Sequence, residues 1–332
     1  MAQASRVFGH KPELMQRLAK SYGNAGVTAR YSCVPLDWYS TDHGWPERMK
    51  LFEQHALALL TEAGQKVLKS ADVDSKAIAA TVTVSSTGIS TPSLDSLLQG
   101  PLGLSPKVQR LPVFGLGCAG GVIGLSRAAA LARAMPGAWV LFMCTELCGL
   151  TFRRSDDSKA NIIGTTIFGD GAAAILLRAP GPNEKSDERP RASLDAWGEH
   201  TWPESRDVMG WSVEDNGLGV IFSRHIPSLV RDEMRKISDD FLSHIGLTMS
   251  DIQGLIVHPG GEKVVSAIEQ AYDLPTGALV DAREVLAERG NMSAVTVLAV
   301  LEKTLARRAT GRHLMTALGP GFSVGFAVMT LR

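Results

Sequence analysis

Cys118 sits in the run FGLGCAGGVIGLS, where an apolar stretch enters a tight glycine turn and a helical pattern begins just beyond. A thiol there faces the unpaired N–H groups and positive pole of a helix, which favour an anion. A free thiol of pKa ~8.5 is only a few per cent thiolate at neutral pH, and such a setting can lower that value to ~3.5–7.5. The flanking glycines let a bulky thioester approach the backbone. His258 ends the apolar run GLIVH and meets Pro259-Gly260-Gly261, the strand edge at which α/β folds present ligand-facing groups. Asn291 lies in ERGNMSAVTVLAVLE, between two helical patterns, where alone it reads as a helix cap. Each residue has a commoner structural fate when taken singly: a small buried cysteine, a bonded histidine, a cap. Together they form a working set for acyl transfer. The thiol is the nucleophile, the imidazole helps generate or stabilise the thiolate, and imidazole and amide N–H groups bind an oxyanion.

The order Cys, His, Asn is also that of papain-like proteases, and the 140 residues between Cys118 and His258 fit that family's spacing. The local signature does not fit. No Cys-Gly-Ser/Ala-Cys-aromatic sequence surrounds Cys118, and the alternation of elements is wrong for that fold.

The elements that must position these residues alternate between strand and helix patterns. Residues 47–70 carry apolar positions at helical spacing (Leu51, Leu57, Leu60, Ala63, Val67), and IAATVTVSS follows as a buried strand. Segment 93–99 reads as a short helix, 110–117 as a strand into the glycine turn, and 119–135 as a helix stopped by Pro136-Gly137. Strands are expected at 138–144 and 171–177, then near 192–198, 218–222 and 254–258, and at 313–318 and 323–330. Helices are expected at 225–245, 262–271, 282–289 and 292–309. This alternation predicts an α/β architecture. The seam PGPNEKSDERPR, 180–191, combines Pro, Gly and charge between apolar segments and reads as a surface junction. No short-period repeat is present, and similarity between the two halves is faint in sequence.

Bulk properties exclude several classes. A chain of 332 residues exceeds one typical core, so two domains or two halves are expected. Basic and acidic residues both total 34, giving no net pull toward nucleic acid or an anionic membrane. Cys33, Cys118, Cys144 and Cys148 are too few and too unevenly spaced for a disulfide framework. Cys144 and Cys148 lack third and fourth ligands at zinc-like spacing, so no metal is expected. The start MAQASRVFGHKPELM has no signal-peptide pattern, and no apolar run approaches the ~18 residues of a spanning helix. A cytoplasmic location is expected, with no nucleic-acid partner and no integral membrane segment.

Six stretches, GCAGG (117–121), TELCGLTFRR (145–154), FGDGAAA (168–174), HPGG (258–261), RGNMSA (289–294) and GPGFSV (319–324), run in one family's order across nearly the whole chain. Any one is weak, but the series is specific. The chain resembles the type III polyketide synthases, the chalcone-synthase-like group, and looks closest to bacterial alkylpyrone synthases. The resemblance implies a thiolase-like αβαβα layered fold with two related halves, drawn here as 1–185 (carrying the cysteine) and 186–332 (carrying the histidine and asparagine). It also implies a homodimer and iterative decarboxylative condensation without a carrier protein. The substrates would be CoA thioesters, malonyl-CoA and acyl-CoA, with no tightly bound cofactor. By motif, Cys118 would hold the starter and growing chain, while His258 and Asn291 would assist malonyl-CoA decarboxylation and stabilise the enolate.

Phe168 matches the family's gatekeeping phenylalanine, and Val220 falls where plant enzymes carry a second one, with Phe222 two residues on. Thr91, Cys148, Thr151, Gly164 and Ser293 fall at cavity positions. Most are small, so a long aliphatic starter is expected, each buried CH₂ contributing ~0.8 kcal/mol. Arg17 and Lys20 match positions that contact CoA phosphates, with Asn24 where another basic residue is expected. The family's initial strand before this helix has no counterpart here, which would leave a sheet edge in need of cover. Two rivals share the fold. A ketoacyl-ACP synthase III-like enzyme would make one condensation on a carrier protein, but typically shows His-Gln-Ala-Asn where this chain has His258-Pro259-Gly260-Gly261. A silent thiolase-fold binding protein would normally have lost Cys, His or Asn.

Overall fold

β-Branched and alanine-rich runs form the centres of two sheets in the computed structural model, which describes residues 12–182, 184 and 190–332. The first sheet holds β1 (Ile78–Ser85), β2 (Gln109–Phe114), β3 (Trp139–Leu147) and β4 (Asp170–Arg178) in the order β2-β1-β3-β4. β1 is parallel to both neighbours, and β4 is antiparallel to β3. After β5 (Ala192–Thr201), a separate ribbon pairs β6 (Met209–Glu214) with β7 (Gly217–Phe222). The second sheet adds β8 (Gly254–Val257), β9 (Gly311–Gly319) and β10 (Ser323–Leu331) in the order β5-β10-β9-β8. Here β8 is parallel to β9, and β10 is antiparallel to β9. The trio β1-β3-β4 therefore repeats as β8-β9-β10, a likeness that lies in connectivity and not in side chains.

Besides two short helices, Leu94–Leu97 and Gln99–Leu102, where the sequence placed one at 93–99, the helices are α1 (Pro12–Gly23), α2 (Trp45–Ser70), α3 (Gly120–Ala134), α4 (Lys159–Ile167), α5 (Ile226–His244), α6 (Glu262–Ala271), α7 (Val280–Arg289) and α8 (Ala294–Ala306). α3 and α8 form the middle layer. α3 lies against β1 and β3 on one side and β9 and β10 on the other, and α8 lies against α3, β3 and β8. Both are apolar nearly all round, as a helix covered on all sides must be. They meet at their N-termini, where a Cβ on Gly121 would stand 2.2 Å from the carbonyl oxygen of Ala294. Only glycine permits that approach. α2 covers the outer face of the first sheet through Phe52, Ala56 and Leu60, all fully buried. α5 covers the second, with Phe241 stacked on Phe326 of β10 at 5.1 Å.

Two elements stand where none was expected, α4 and β6. Residues 183 and 185–189 of the seam, and with them the boundary drawn at 185/186, lie outside the described residues. Among the described residues β4 has no strand on its outer side, and no helix is long and apolar enough to cross a membrane.

Candidate active site

Cys118 occupies a single 3₁₀ turn, Gly117–Ala119, immediately before α3. Gly117 has φ +48°, and a Cβ on it would lie 2.5 Å from Cδ of Pro320, so both backbone and neighbour require glycine. Its N–H donates to Ser86 Oγ at 2.8 Å, tying the turn to the end of β1. Residues on either side of Cys118 are buried, while Cys118 itself keeps partial exposure. The side chains of Ser293 and Asn291 favour the thiolate, and the Glu146 carboxylate disfavours it. Burial outweighs the donors and pushes the thiol up to about 12, with the Glu146 carboxylate adding to the rise. Burial thus works against the lowering that a helix N-terminus could give, because a buried thiolate loses its hydration.

His258 follows β8, its N–H bonded to Thr316 O of β9 at 3.0 Å. Its side chain is 4% exposed and neither ring nitrogen has a hydrogen-bond partner among the described residues. Burial alone draws the imidazole down to about 3, so it is neutral at pH 7. Two unpaired buried nitrogens cost about 1–3 kcal/mol each, a cost removed by any polar ligand atom that reaches them.

Asn291 draws the site together. Its Nδ2 donates to Gly260 O, two residues past His258, at 3.3 Å, and its amide also reaches the sulfur of Cys118. Its Oδ1 accepts from the N–H of Ser293 at 2.8 Å, a local turn ahead of α8; the cap position itself is Ser293, so the helix-cap reading of Asn291 does not hold. A lone bridge pairs it with Phe168: Asn291 N–H donates to Ile167 O at 2.7 Å, and Gly169 N–H donates to Asn291 O at 3.0 Å. One buried group went unnoticed in the sequence. Glu146, at the end of β3, has no exposure and accepts from Ser86 N–H (3.0 Å), Thr87 Oγ (2.8 Å) and Ser293 Oγ (3.2 Å). Burial raises it to about 7 against the pull of those donors. Its position at the loop end of an apolar strand, two residues from Cys144 and from Cys148, was the available signal.

Phe168 forms the lip of a cavity of about 140 Å³. Cys148, Thr151, Gly164 and Val220 line it as the sequence suggested, joined by Tyr39 and Phe152. Gly164 leaves room for the Phe168 ring, since a Cβ there would stand 3.0 Å from ring carbons. Trp211 of β6, opposite Val220 on the ribbon, stands 6.1 Å from that ring. Arg30 closes one side, donating to Phe168 O (3.3 Å) and Tyr22 Oη (3.1 Å). The cavity reaches Tyr31 and Leu36, both exposed. Thr91 does not belong to this wall; it is exposed, at a cis bond to Pro92. Ser293 is buried beside Cys118 and Glu146, also off the wall. Phe222 is not among the lining residues either, so Val220 is the ribbon's contribution. The side chains of Arg17 and Lys20, on α1, lie outside the described residues.

The models of the N-terminal and C-terminal domains of chalcone and stilbene synthases match residues 41–181 and 195–330. The chain belongs to the chalcone and stilbene synthase family. Members of this family are type III polyketide synthases, acyltransferases that condense malonyl-CoA. Among its relatives, a putative chalcone synthase of Bacillus subtilis is 38% identical, covering 96% of this chain and 90% of that protein. A 1,3,6,8-tetrahydroxynaphthalene synthase of Streptomyces peucetius subsp. caesius is 35% identical over 94% of this chain and 83% of its own. The crystal structure of PKS-I from the brown alga Ectocarpus siliculosus superposes with a TM-score of 0.89 at 25% identity, over 100% of this chain and 93% of that one. The fold is the thiolase-like fold of these chalcone-synthase relatives. CsyB, crystallised with CoA-SH, has the same fold, with a TM-score of 0.91 at 24% identity over 100% of this chain and 94% of its own.

Proposed function

We propose that this type III polyketide synthase extends a long-chain acyl-CoA starter with malonyl-CoA and releases an alkylpyrone-type product. Cys118 carries the acyl chain as a thioester. His258 and Asn291 offer N–H donors to the malonyl thioester oxygen, on which charge develops as CO₂ leaves. A neutral imidazole suits this step better than thiolate pairing, because an N–H donor costs no buried charge. Phe168 gates the passage to the cavity, and Arg17 and Lys20 hold CoA phosphates.

The observation that carries the starter assignment is the cavity beyond Phe168, walled by Val220, Gly164 and Cys148 and reaching the surface near Leu36. A flexible aliphatic chain can thread such a space, and each methylene it buries contributes ~0.8 kcal/mol. The test is mass spectrometry of products from a panel of acyl-CoAs with malonyl-CoA. C10–C16 acyl starters are expected to outrun cinnamoyl-type starters, and the reverse order would sink the assignment. Running the panel with malonyl-ACP as a second donor separates iterative CoA-based extension from a single carrier-protein condensation.

The protein acts as a homodimer in the cytoplasm on this reading. β2 supports the dimer, because its outer edge is open and Leu111 and Phe114 are exposed on it, beside Ile89. A second copy pairing with that edge would cover all three residues. Sedimentation of the purified chain checks this; a monomer at micromolar concentration would refute it.

A further inference from the structure

We propose that the second half carries a binding site of its own: a cavity at the end of β8 opposite His258, built to take a neutral, mainly apolar molecule with one hydroxyl donor, of which an alkylphenol is a simple example. The site does not depend on the reading of Cys118 as the nucleophile.

The cavity holds about 500 Å³, against about 140 Å³ for the one beyond Phe168. Pockets that take small organic molecules run from about 300 to 1,000 Å³. It lies where the starts of β8 and β9 meet the C-terminal ends of α6 and α8 and the N-terminal end of α7. Leu255, Tyr272 and Leu279 supply apolar wall at three of these ends, and Met249 and Ile252 close it from the turn ahead of β8. Displacing water from such a wall with an apolar body is favourable.

One acceptor in this wall is left over. His313 of β9 lines the cavity, is 6% exposed, and has its Nδ1 at 3.1 Å from Gly311 O. A carbonyl only accepts, so Nδ1 carries the hydrogen and Nε2 of the neutral ring presents a lone pair. That nitrogen has no hydrogen-bond partner among the described residues and, unlike both nitrogens of His258, is not closed off. The ring rests on Gly254, where a Cβ would stand 2.6 Å from both Cδ2 and Nε2, so glycine gives it room. The other polar side chains of the lining are engaged. Gln253 donates to Asp251 O at 3.1 Å and accepts from the Arg312 N–H at 2.5 Å. Tyr272 Oη shares a hydrogen bond with Ser238 Oγ at 2.5 Å, and Thr304 Oγ donates to Asp281 Oδ2 at 2.7 Å. The cation of the lining, Arg307, pairs with Asp281 at 2.5 Å and with Glu284 at 2.7 Å. Two carboxylates on one guanidinium leave no positive charge to draw an anion, which disfavours a carboxylate or phosphate ligand. A cationic donor would have to shed its hydration against an apolar wall. What the wall lacks is a neutral donor, and a hydroxyl supplies one hydrogen to Nε2.

The experiment isotope-labels the methionine methyl groups and titrates the protein with 4-propylphenol, following by NMR the Met249 signal, which Met249→Leu identifies. That signal is expected to move saturably, with half-saturation below about 1 mM. 4-Propylanisole, which has no donor, and 4-propylbenzoate, an anion at neutral pH, are expected to bind about fivefold more weakly. His313→Phe keeps a ring over Gly254 and removes the acceptor. It should weaken 4-propylphenol by about the same factor and leave 4-propylanisole unchanged. A Met249 signal that never moves overturns the proposal, as does a benzoate that binds as tightly as the phenol. Movement at Met292, next to Asn291, with Met249 unmoved puts the probe in the site already described and equally overturns it. Should the variant not fold, the wild-type comparison decides: equal half-saturation by phenol and anisole refutes the site's hydroxyl preference and the proposal with it.

Discussion

The first sheet reaches the site with a buried acid that has all its partners, while the second reaches it with a buried base that has none. Glu146, at the end of β3, is held by Ser86, Thr87 and Ser293. His258, at the end of β8, has both ring nitrogens unbonded among the described residues. The strands that deliver them belong to trios of the same connectivity, so the scaffold does not explain the difference. A fully bonded group is built to hold its position and its charge state. An unbonded one leaves donors and acceptors for whatever enters. On the proposed reading, β3 brings a settled acid toward Cys118 while β8 brings an open imidazole toward the reacting carbonyl.

The comparison can be tested at several strengths. Cys118→Ala removes the nucleophile, and both acyl-enzyme and every product should fall below detection by mass spectrometry. Asn291→Ala strikes the receiving side: malonyl-CoA decarboxylation should drop roughly 10²–10³-fold, as for loss of an oxyanion donor, with starter loading reduced far less. Equal loss of both steps would contradict the division. Val220→Phe narrows the cavity wall, and turnover of C12 and longer starters should fall about tenfold relative to C6 starters.

The smallest effect concerns stability. Between pH 6.5 and about 3 the unfolded chain carries a proton on this histidine that the native His258 does not. The native state therefore loses stability as pH falls through that window. His258→Phe should remove up to ~1.4 kcal/mol per pH unit of that loss in denaturant titrations, and should leave the protein no less stable at pH 7 while activity falls. Glu146 slopes the other way. Its native state keeps, between 4.5 and about 7, a proton that the unfolded chain has released, so stability falls as pH rises there. Glu146→Gln should abolish that second slope only.

Much of the fold was legible in the residues, because the long periodic elements and the motifs that hold Cys118, His258 and Asn291 are local patterns. Residues 262–271 form α6 with the expected bounds, and the glycine turn at Cys118 lies where the sequence put it. α4 escaped because KANIIGTTI is short, β-branched and interrupted by Gly164, all weak helix signals, although Ser158 caps it. β6 escaped although Asp215-Asn216-Gly217 is a hairpin turn signal. Nothing local could reveal that the thiol would be raised, since that depends on how much protein surrounds the sulfur. Nor could sequence show that Thr91 lies on the surface and Ser293 beside the carboxylate, because both placements follow from how loops from different strands meet.

The lone bridge between Phe168 and Asn291 has a kinetic consequence. On the proposed reading, the residue that gates the passage and the residue whose amide receives the malonyl oxygen are backbone partners in a single bridge. Under the proposed function, a growing chain that displaced the backbone at Phe168 would displace the backbone at Asn291 with it, and the bulk of the polymer would then limit its own extension without a separate sensor.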